Sequence, residues 1–259
     1  MLYFKNILLN ALKVKYFSVT IKKFIKKFDK DTSIEALKWS RSNTKFTTEQ
    51  FCRLIDQNLY EEVSFEIKSI ENEAKTKLSK LDVTLGGGGN YILLYFLIRK
   101  FNLINIVETG VAAGWSSLAI LKAFKKNGKG KLYSSDFPYY RLKNPEQYIG
   151  YLAKDEINKK DWYLNINGDD VALPEILEKL EDNSVDLIHY DSDKSYYARN
   201  KALKIFESKI SSKTIIIFDD IQDNLHFKDL VNKMKESYCV IEFQNKYLGI
   251  IGINLPLSK

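Results

Sequence analysis

Strand-like and helix-like segments alternate from residue 86 to the end of this 259-residue chain, and that alternation limits the fold more than any other feature. Short runs rich in β-branched and apolar residues fall at 104–107, 131–134, 162–166, 185–190 and 214–218. Amphipathic stretches at 116–126, 174–180 and 197–210 lie between them, and an apolar helix at 91–101 precedes them. Strands joined through helices run parallel, because the crossover returns each strand to the same edge, and the helices then cover both faces. After a helix at 225–236 the pattern changes. Residues 239–243 and 248–254 read as two strands joined by the turn 244–247, a connection short enough to force them antiparallel. The expectation is a doubly wound α/β sheet, mostly parallel, with a C-terminal antiparallel hairpin.

The first 85 residues read as helical, since apolar residues recur at three- and four-residue spacing and glycine is absent before Gly86. Residues 48–81 predict one helix, opened by the capping-type sequence TTEQ. Gly86, Gly87, Gly88 and Gly89 in succession cannot hold a helix, so they divide an N-terminal helical extension, residues 1–85, from a ligand-binding α/β domain, residues 86–259. In the extension, Phe17, Ile21, Phe24 or Ile25, and Phe28 share one helical face with Lys22, Lys23, Lys26 and Lys27 around it. Such a helix either lies on an anionic membrane surface or packs on the domain with its lysines in water.

Eight of the 40 basic residues and one of the 33 acidic ones fall in residues 1–30, which leaves 32 of each sign in the body. The body is neutral, so nothing in its charge invites nucleic acid, and peripheral membrane contact is confined to residues 1–30. No run reaches the ~18 apolar residues of a membrane span. Cys52 and Cys239 form no CxxC pair, which argues against a zinc knuckle or disulfide framework, and Lys5 and Lys13 interrupt the apolar start, which argues against a secretory signal. A cytoplasmic protein, peripheral to the inner face of a membrane if the basic helix docks there, is the expectation; a homo-oligomer remains open.

Open α/β sheets bind ligands at the carboxyl ends of their strands. The first strand ends in VETGVAAGWSS, residues 107–117, where Gly110 and Gly114 permit a tight turn, Ala112 and Ala113 keep it small, and Ser116 or Ser117 can cap the next helix. A dinucleotide would want G-x-G-x-x-G and no acid beside its pyrophosphate, but that spacing is missing and Glu108 stands before the first glycine. Glu108 suits a cationic amino group, held directly or through water. Asp136, 22 residues past Gly114, can accept the hydroxyl protons of a ribose. Beyond the third strand, Gly168 gives backbone access and Asp169 can receive an adenine amino group, although either Asp169 or Asp170 can instead cap the following helix.

The E-x-G-x-x-x-G arrangement, the order of elements across residues 86–254 and the terminal hairpin resemble the class I S-adenosylmethionine-dependent methyltransferases, with their Rossmann-like sheet. Within them, VDLIHYDSDKSY, TIIIFDDIQDN and GGGGNYILLYF resemble the bacterial sugar and natural-product O-methyltransferases that carry an aspartate-rich metal centre. The resemblance implies S-adenosylmethionine as cofactor and a small-molecule or glycan hydroxyl as methyl acceptor.

Asp191 ends the fourth strand, and Asp219 and Asp220 end the fifth, so the three should meet in one crevice. Hard oxygen ligands there suit magnesium or manganese, which would lower the pKa of an acceptor hydroxyl. Lys194 stands where that subgroup has histidine; surrounding carboxylates would keep it protonated, so it either neutralises the cluster or holds an anionic substrate. His226 is the alternative base, while His189 shares the pleat face of Asp191 yet reads as a core residue. Tyr196 and Tyr197 either line an acceptor pocket or pack. Three rivals stand beside methyl transfer to a small molecule or sugar: a non-catalytic cofactor-binding module, favoured by Lys194; a nucleotide-dependent oxidoreductase, opposed by Glu108 and the hairpin; and a nucleic-acid methyltransferase, opposed by the neutral body.

Overall fold

The computed structural model describes Asn6, Ile7, Leu9, Asn10 and residues 31–156, 160–234 and 237–253. The basic amphipathic helix expected over Phe17 to Phe28 lies outside the described residues. In chain order the first elements are α1 (Ser33–Asn43), β1 (Thr44–Thr47), α2 (Thr48–Leu78), α3 (Tyr91–Phe101), β2 (Asn105–Thr109), α4 (Trp115–Asn127) and β3 (Lys131–Ser135). They are followed by β4 (Trp162–Asn165), α5 (Asp169–Leu177), β5 (Leu187–Tyr190), α6 (Tyr196–Phe206), β6 (Ile215–Phe218), α7 (His226–Met234), β7 (Tyr238–Phe243) and β8 (Lys246–Ile251).

The sheet order is β1-β7-β8-β6-β5-β2-β3-β4, with β8 antiparallel to both of its neighbours and the remaining pairs parallel. The order reverses at β2, whose partners are β3 and β5, and the turns after β2 and β5 therefore open into one crevice. The hairpin is tighter than the expected 244–247 turn. Gln244 and Asn245 alone form it, both with positive φ (51° and 62°), the two-residue geometry whose twist matches that of its strands.

Alternate residues of the central strands feed two cores. Ile106, Leu187, Ile215 and Ile217 pack with α2, α3 and α4, whereas Val107, Ile188, Tyr190, Ile216 and Phe218 pack with residues of α5, α6 and α7. Helix α2 starts as its sequence dictates: Thr47 accepts from Gln50 N at 3.3 Å while Gln50 Oε1 accepts from Thr47 N at 2.9 Å. The pattern breaks at Asp56, where φ is −161°, and the Asp56 carboxylate restarts the helix by accepting from Leu59 N.

One part of the extension is not helical. Thr44–Thr47 is a strand at the sheet edge, parallel to β7, with Thr44 opposite Val240 and Thr47 opposite Glu242. Two β-branched threonines in TKFT favour extended backbone, and the unpaired edge of β7 supplies the partner. Helix α5 also differs from the expected 174–180: it begins five residues earlier, and Pro174 sits within it. At the N-terminus, Asn10 is 5% exposed and its amide donates to the carbonyls of Tyr140 (2.9 Å) and Leu142 (3.0 Å). That residue is thus docked on the segment after β3.

Candidate functional site

The turn after β2 is shaped by packing as much as by any ligand. Gly110 has φ +81°, and a Cβ there would lie 2.4 Å from the carbonyl oxygen of Asp191, so only glycine lets the β2 and β5 strand ends meet this closely. Gly114, at φ +94°, is the N-cap of α4, and no side chain caps that helix; Ser116 and Ser117 turn inward instead. Glu108 is 0% exposed, and its Oε2 accepts from Ser117 Oγ (2.6 Å) and Ser134 Oγ (2.8 Å). Trp162 Nε1 donates to the same Ser134 Oγ at 2.9 Å. Burial raises the Glu108 pKa, and the serine hydroxyls around it, Ser116 included, pull the other way. Glu108 has no surface from which to grip a ligand directly. It braces β2 against α4 and β3 through Oε2, while Oε1 has no hydrogen-bond partner among the described residues, which leaves the water-mediated form of the expected contact.

Asp136 closes the turn. Its carboxylate accepts from Ala112 N at 2.6 Å and Phe137 N at 2.5 Å, and burial pushes its pKa up to about 7. Asp169 accepts from Ser135 Oγ (2.6 Å) and Ser192 Oγ (2.5 Å), tying the β3 end to the loop after β5. Gly168 donates its N–H to the Asp136 carbonyl at 3.0 Å and is the N-cap of α5, so neither Asp169 nor Asp170 caps that helix. Asp170 pairs with Lys201. The turn, Asp136 and Asp169 thus line one side of the crevice. Asp136 is half-buried, and among the described residues no cation pairs with its carboxylate, a fit for the paired hydroxyl donors of a ribose.

Across the crevice, Asp191, Asp219 and Asp220 stand at the ends of β5 and β6 as expected. The structure separates them by role. Asp220 adopts φ 51°, and its carboxylate lies 3.5 Å from Lys194 Nζ and 3.1 Å from Lys246 Nζ; although burial alone would raise its pKa, these two lysines hold it below the usual range. Lys194 also pairs with Asp191. Asp219 is 2% exposed; Oδ1 accepts from Asp220 N at 3.0 Å, Oδ2 has no partner, and burial next to Asp191 pushes its pKa up to about 7. Below them, the buried Arg199 donates to the carbonyls of Asp219 (2.8 Å) and Asp220 (3.0 Å) and fixes the strand end.

The two histidines exchange their expected positions. His226 packs against Phe218 and Tyr196, at ring separations of 5.4 and 5.2 Å. Phe218 points away from the Asp219 face, so His226 lies in the opposite core and is not a base for this crevice; burial, reinforced by Arg199, takes its pKa down to about 3. His189, by contrast, has a ring nitrogen that groups with a carboxylate oxygen each of Asp191 and Asp219, all within 4.8 Å of one another. Its i, i+2 relation to Asp191 was the available signal. The glycine tract also gains a purpose, because a Cβ on Gly89 would lie 2.9 Å from His189 Nε2 and 3.2 Å from Asp219 Oδ2. Tyr196 donates to Asp229 at 3.1 Å, and both it and Tyr197 are exposed.

Residues 107–221 match a family profile described as a methyltransferase domain. Similar solved structures include a candidate caffeoyl-CoA O-methyltransferase from Staphylococcus aureus, 16% identical over 76% of this chain and 99% of that one, with a TM-score of 0.53. An O-methyltransferase from Bacillus cereus in complex with SAH is 14% identical over 71% of this chain and 90% of that one, TM-score 0.53. A SAH-bound methyltransferase from Podospora anserina is 12% identical over 71% and 88%, TM-score 0.52. No curated protein sequence matches the chain. Among the described residues, no helix is long and apolar enough to cross a membrane.

Proposed function

We propose that this chain, whose residues 107–221 match a methyltransferase-domain profile, is a class I methyltransferase that transfers a methyl group from S-adenosylmethionine to a hydroxyl of a small molecule or sugar. The observation that carries the reading is the contact of Gly110 with the backbone of Asp191, which sets the cofactor turn directly against the acidic strand ends. S-adenosylmethionine brings its own activated methyl on a sulfonium, so the protein's work is alignment and control of the acceptor's proton.

Asp136 binds the ribose hydroxyls, the turn from Gly110 to Gly114 gives the backbone close approach, and Asp169, held by two serines, faces the base. Glu108 and Ser116 act from beneath by fixing that turn. On the acceptor side Asp191 and Asp219 are the ligands offered to a divalent cation, and the unpartnered Asp219 Oδ2 fits that use. Such a cation, magnesium or manganese, would lower the pKa of a hydroxyl bound to it. Lys194, poised between Asp191 and Asp220, offsets the acids and steadies the oxygen of the acceptor as it loses its proton.

The test is release of the demethylated cofactor, followed by mass spectrometry, against a panel of glycans, phenols and small hydroxy acids. An acceptor-dependent mass gain of one methyl is expected. Cofactor binding without turnover on any acceptor, in the presence of magnesium or manganese, would point to a non-catalytic module instead.

A further inference from the structure

His189 is buried more deeply than a solvent-facing base could be and is bonded less well than a core histidine should be. It is 0% exposed, and neither Nδ1 nor Nε2 has a hydrogen-bond partner. A neutral imidazole carries one donor and one acceptor, and burying both unmade is costly, so such a ring is usually tied to a carbonyl, a carboxylate or a metal. Asp219, on the neighbouring strand and the same sheet face, leaves Oδ2 in the same condition at 2% exposure.

These unmade contacts converge. One ring nitrogen of His189 and one oxygen each of Asp191 and Asp219 lie within 4.8 Å of one another. An ion with bonds of roughly 2.1 Å holds its ligand atoms about 3–4 Å apart, so side-chain shifts of up to about 1 Å would close the set. The main chain leaves room for it. Gly89 passes so near that its missing Cβ would fall between His189 Nε2, at 2.9 Å, and Asp219 Oδ2, at 3.2 Å. Asp220, the third acid read from the sequence, is instead engaged by Lys194, Lys246 and Gln222.

We propose that His189 is a metal ligand and forms with Asp191 and Asp219 a one-histidine, two-carboxylate site selective for a first-row transition cation such as manganese or cobalt over magnesium. An imidazole nitrogen raises affinity for transition cations, whereas magnesium demands hard oxygen donors. Lys194 gives way within the cluster: its ammonium, paired with Asp191, already lies 3.5 Å from Asp220 and moves toward that carboxylate as the cation takes its share of Asp191. The inference rests on the methyltransferase reading for its purpose, but its test does not depend on turnover.

The chain contains two histidines, so any imidazole bound to a metal in the untagged protein is His189 or His226. Full-length protein is loaded with manganese and examined by pulsed electron paramagnetic resonance for coupling to a directly bound nitrogen-14. Coupling is expected in the wild type and in His226→Gln, and its loss in His189→Gln, with manganese affinity falling at least about tenfold in that variant. Should His189→Gln fail to fold, the wild type and His226→Gln decide the matter. Manganese bound without nitrogen coupling, coupling lost in a folded His226→Gln, or no manganese binding at millimolar concentration would each overturn the assignment. Methyl transfer measured on the same samples separates the two readings: coupling without transfer counts against the methyltransferase reading alone, and transfer without coupling against His189 alone.

Discussion

The two walls of the crevice are built from the same material, buried and half-buried carboxylates at strand ends, yet most of them are bonded differently. On the β2–β3–β4 wall, Glu108 and Asp169 take serine hydroxyls and Asp136 takes backbone amides. On the β5–β6 wall, Asp191 and Asp220 face lysine cations, while Asp219 Oδ2 and both ring nitrogens of His189, like Glu108 Oε1 across the crevice, have no hydrogen-bond partner among the described residues. Neutral hydroxyl and amide donors fix a shape, whereas mobile cations and unmade bonds leave a charge to be exchanged with something that arrives. The difference teaches that the first wall is preorganised for a ligand that binds and leaves unchanged in shape, and the second for proton, metal and acceptor.

The largest effect should come where the walls touch. Gly110→Val forces a branched side chain into a backbone at φ +81° and into the Asp191 carbonyl, a penalty of at least about 3 kcal/mol. Cofactor binding should vanish in calorimetry and turnover with it. If binding survives, the contact that joins the walls is not needed.

Next in size, Asp191→Asn should divide the walls functionally. Turnover is expected to fall by about 10²-fold or more while cofactor affinity stays within about threefold, since this carboxylate serves the acceptor side. Equal losses in both quantities would erase the distinction. Lys194→Met in the same assay should lower turnover while leaving manganese affinity undiminished or higher, since a competing cation is removed from Asp191.

On the other wall, Asp136→Ala should weaken cofactor binding by about 1–3 kcal/mol without a separate loss in the chemical step at saturation. Because burial sets the Asp136 pKa at about 7, wild-type affinity should rise up to about tenfold between pH 6 and pH 8, as the carboxylate ionises and accepts the ribose hydroxyls. Asp136→Asn should flatten that slope. Stability moves the other way. The unfolded carboxyl, with an ordinary value of 3.8, ionises first, so the folded form loses its advantage as pH rises from about 4 to about 7 and is level above. A thermal melting series over that range, wild type against Asp136→Asn, measures it.

Much of this architecture was legible because it follows from short-range rules. The alternation of segments gave the parallel sheet, the late pair of strands gave the hairpin, and strand-end positions placed Asp136, Asp169, Asp191 and Asp219 in one crevice. What was hidden depends on tertiary partners. The four residues of β1 become a strand only because β7 offers an edge, and Asp220 leaves the acid cluster only because its αL backbone turns its carboxylate toward two lysines. His189 and His226 differ in which face of the sheet they meet, which pleat parity determines for the first and the packing of α7 for the second. The glycine tract read only as a boundary in the sequence because clearance over His189 and Asp219 leaves no mark except the absence of side chains.

A smaller effect tests the N-terminal extension. Thr47→Ala removes one half of the capping box that starts α2 directly after β1 and should cost about 1 kcal/mol in denaturant unfolding, with cofactor affinity unchanged. A change in affinity would mean that the extension communicates with the β2–β3–β4 wall.

The central claim is that the preorganised wall was shaped for S-adenosylmethionine, and calorimetric titration of the full-length chain addresses it without knowledge of the acceptor. S-adenosylmethionine and its demethylated product should both bind, with NAD at least about 100-fold weaker, because the turn lacks the glycine spacing that seats a pyrophosphate. Tight binding of NAD with none of S-adenosylmethionine would contradict it.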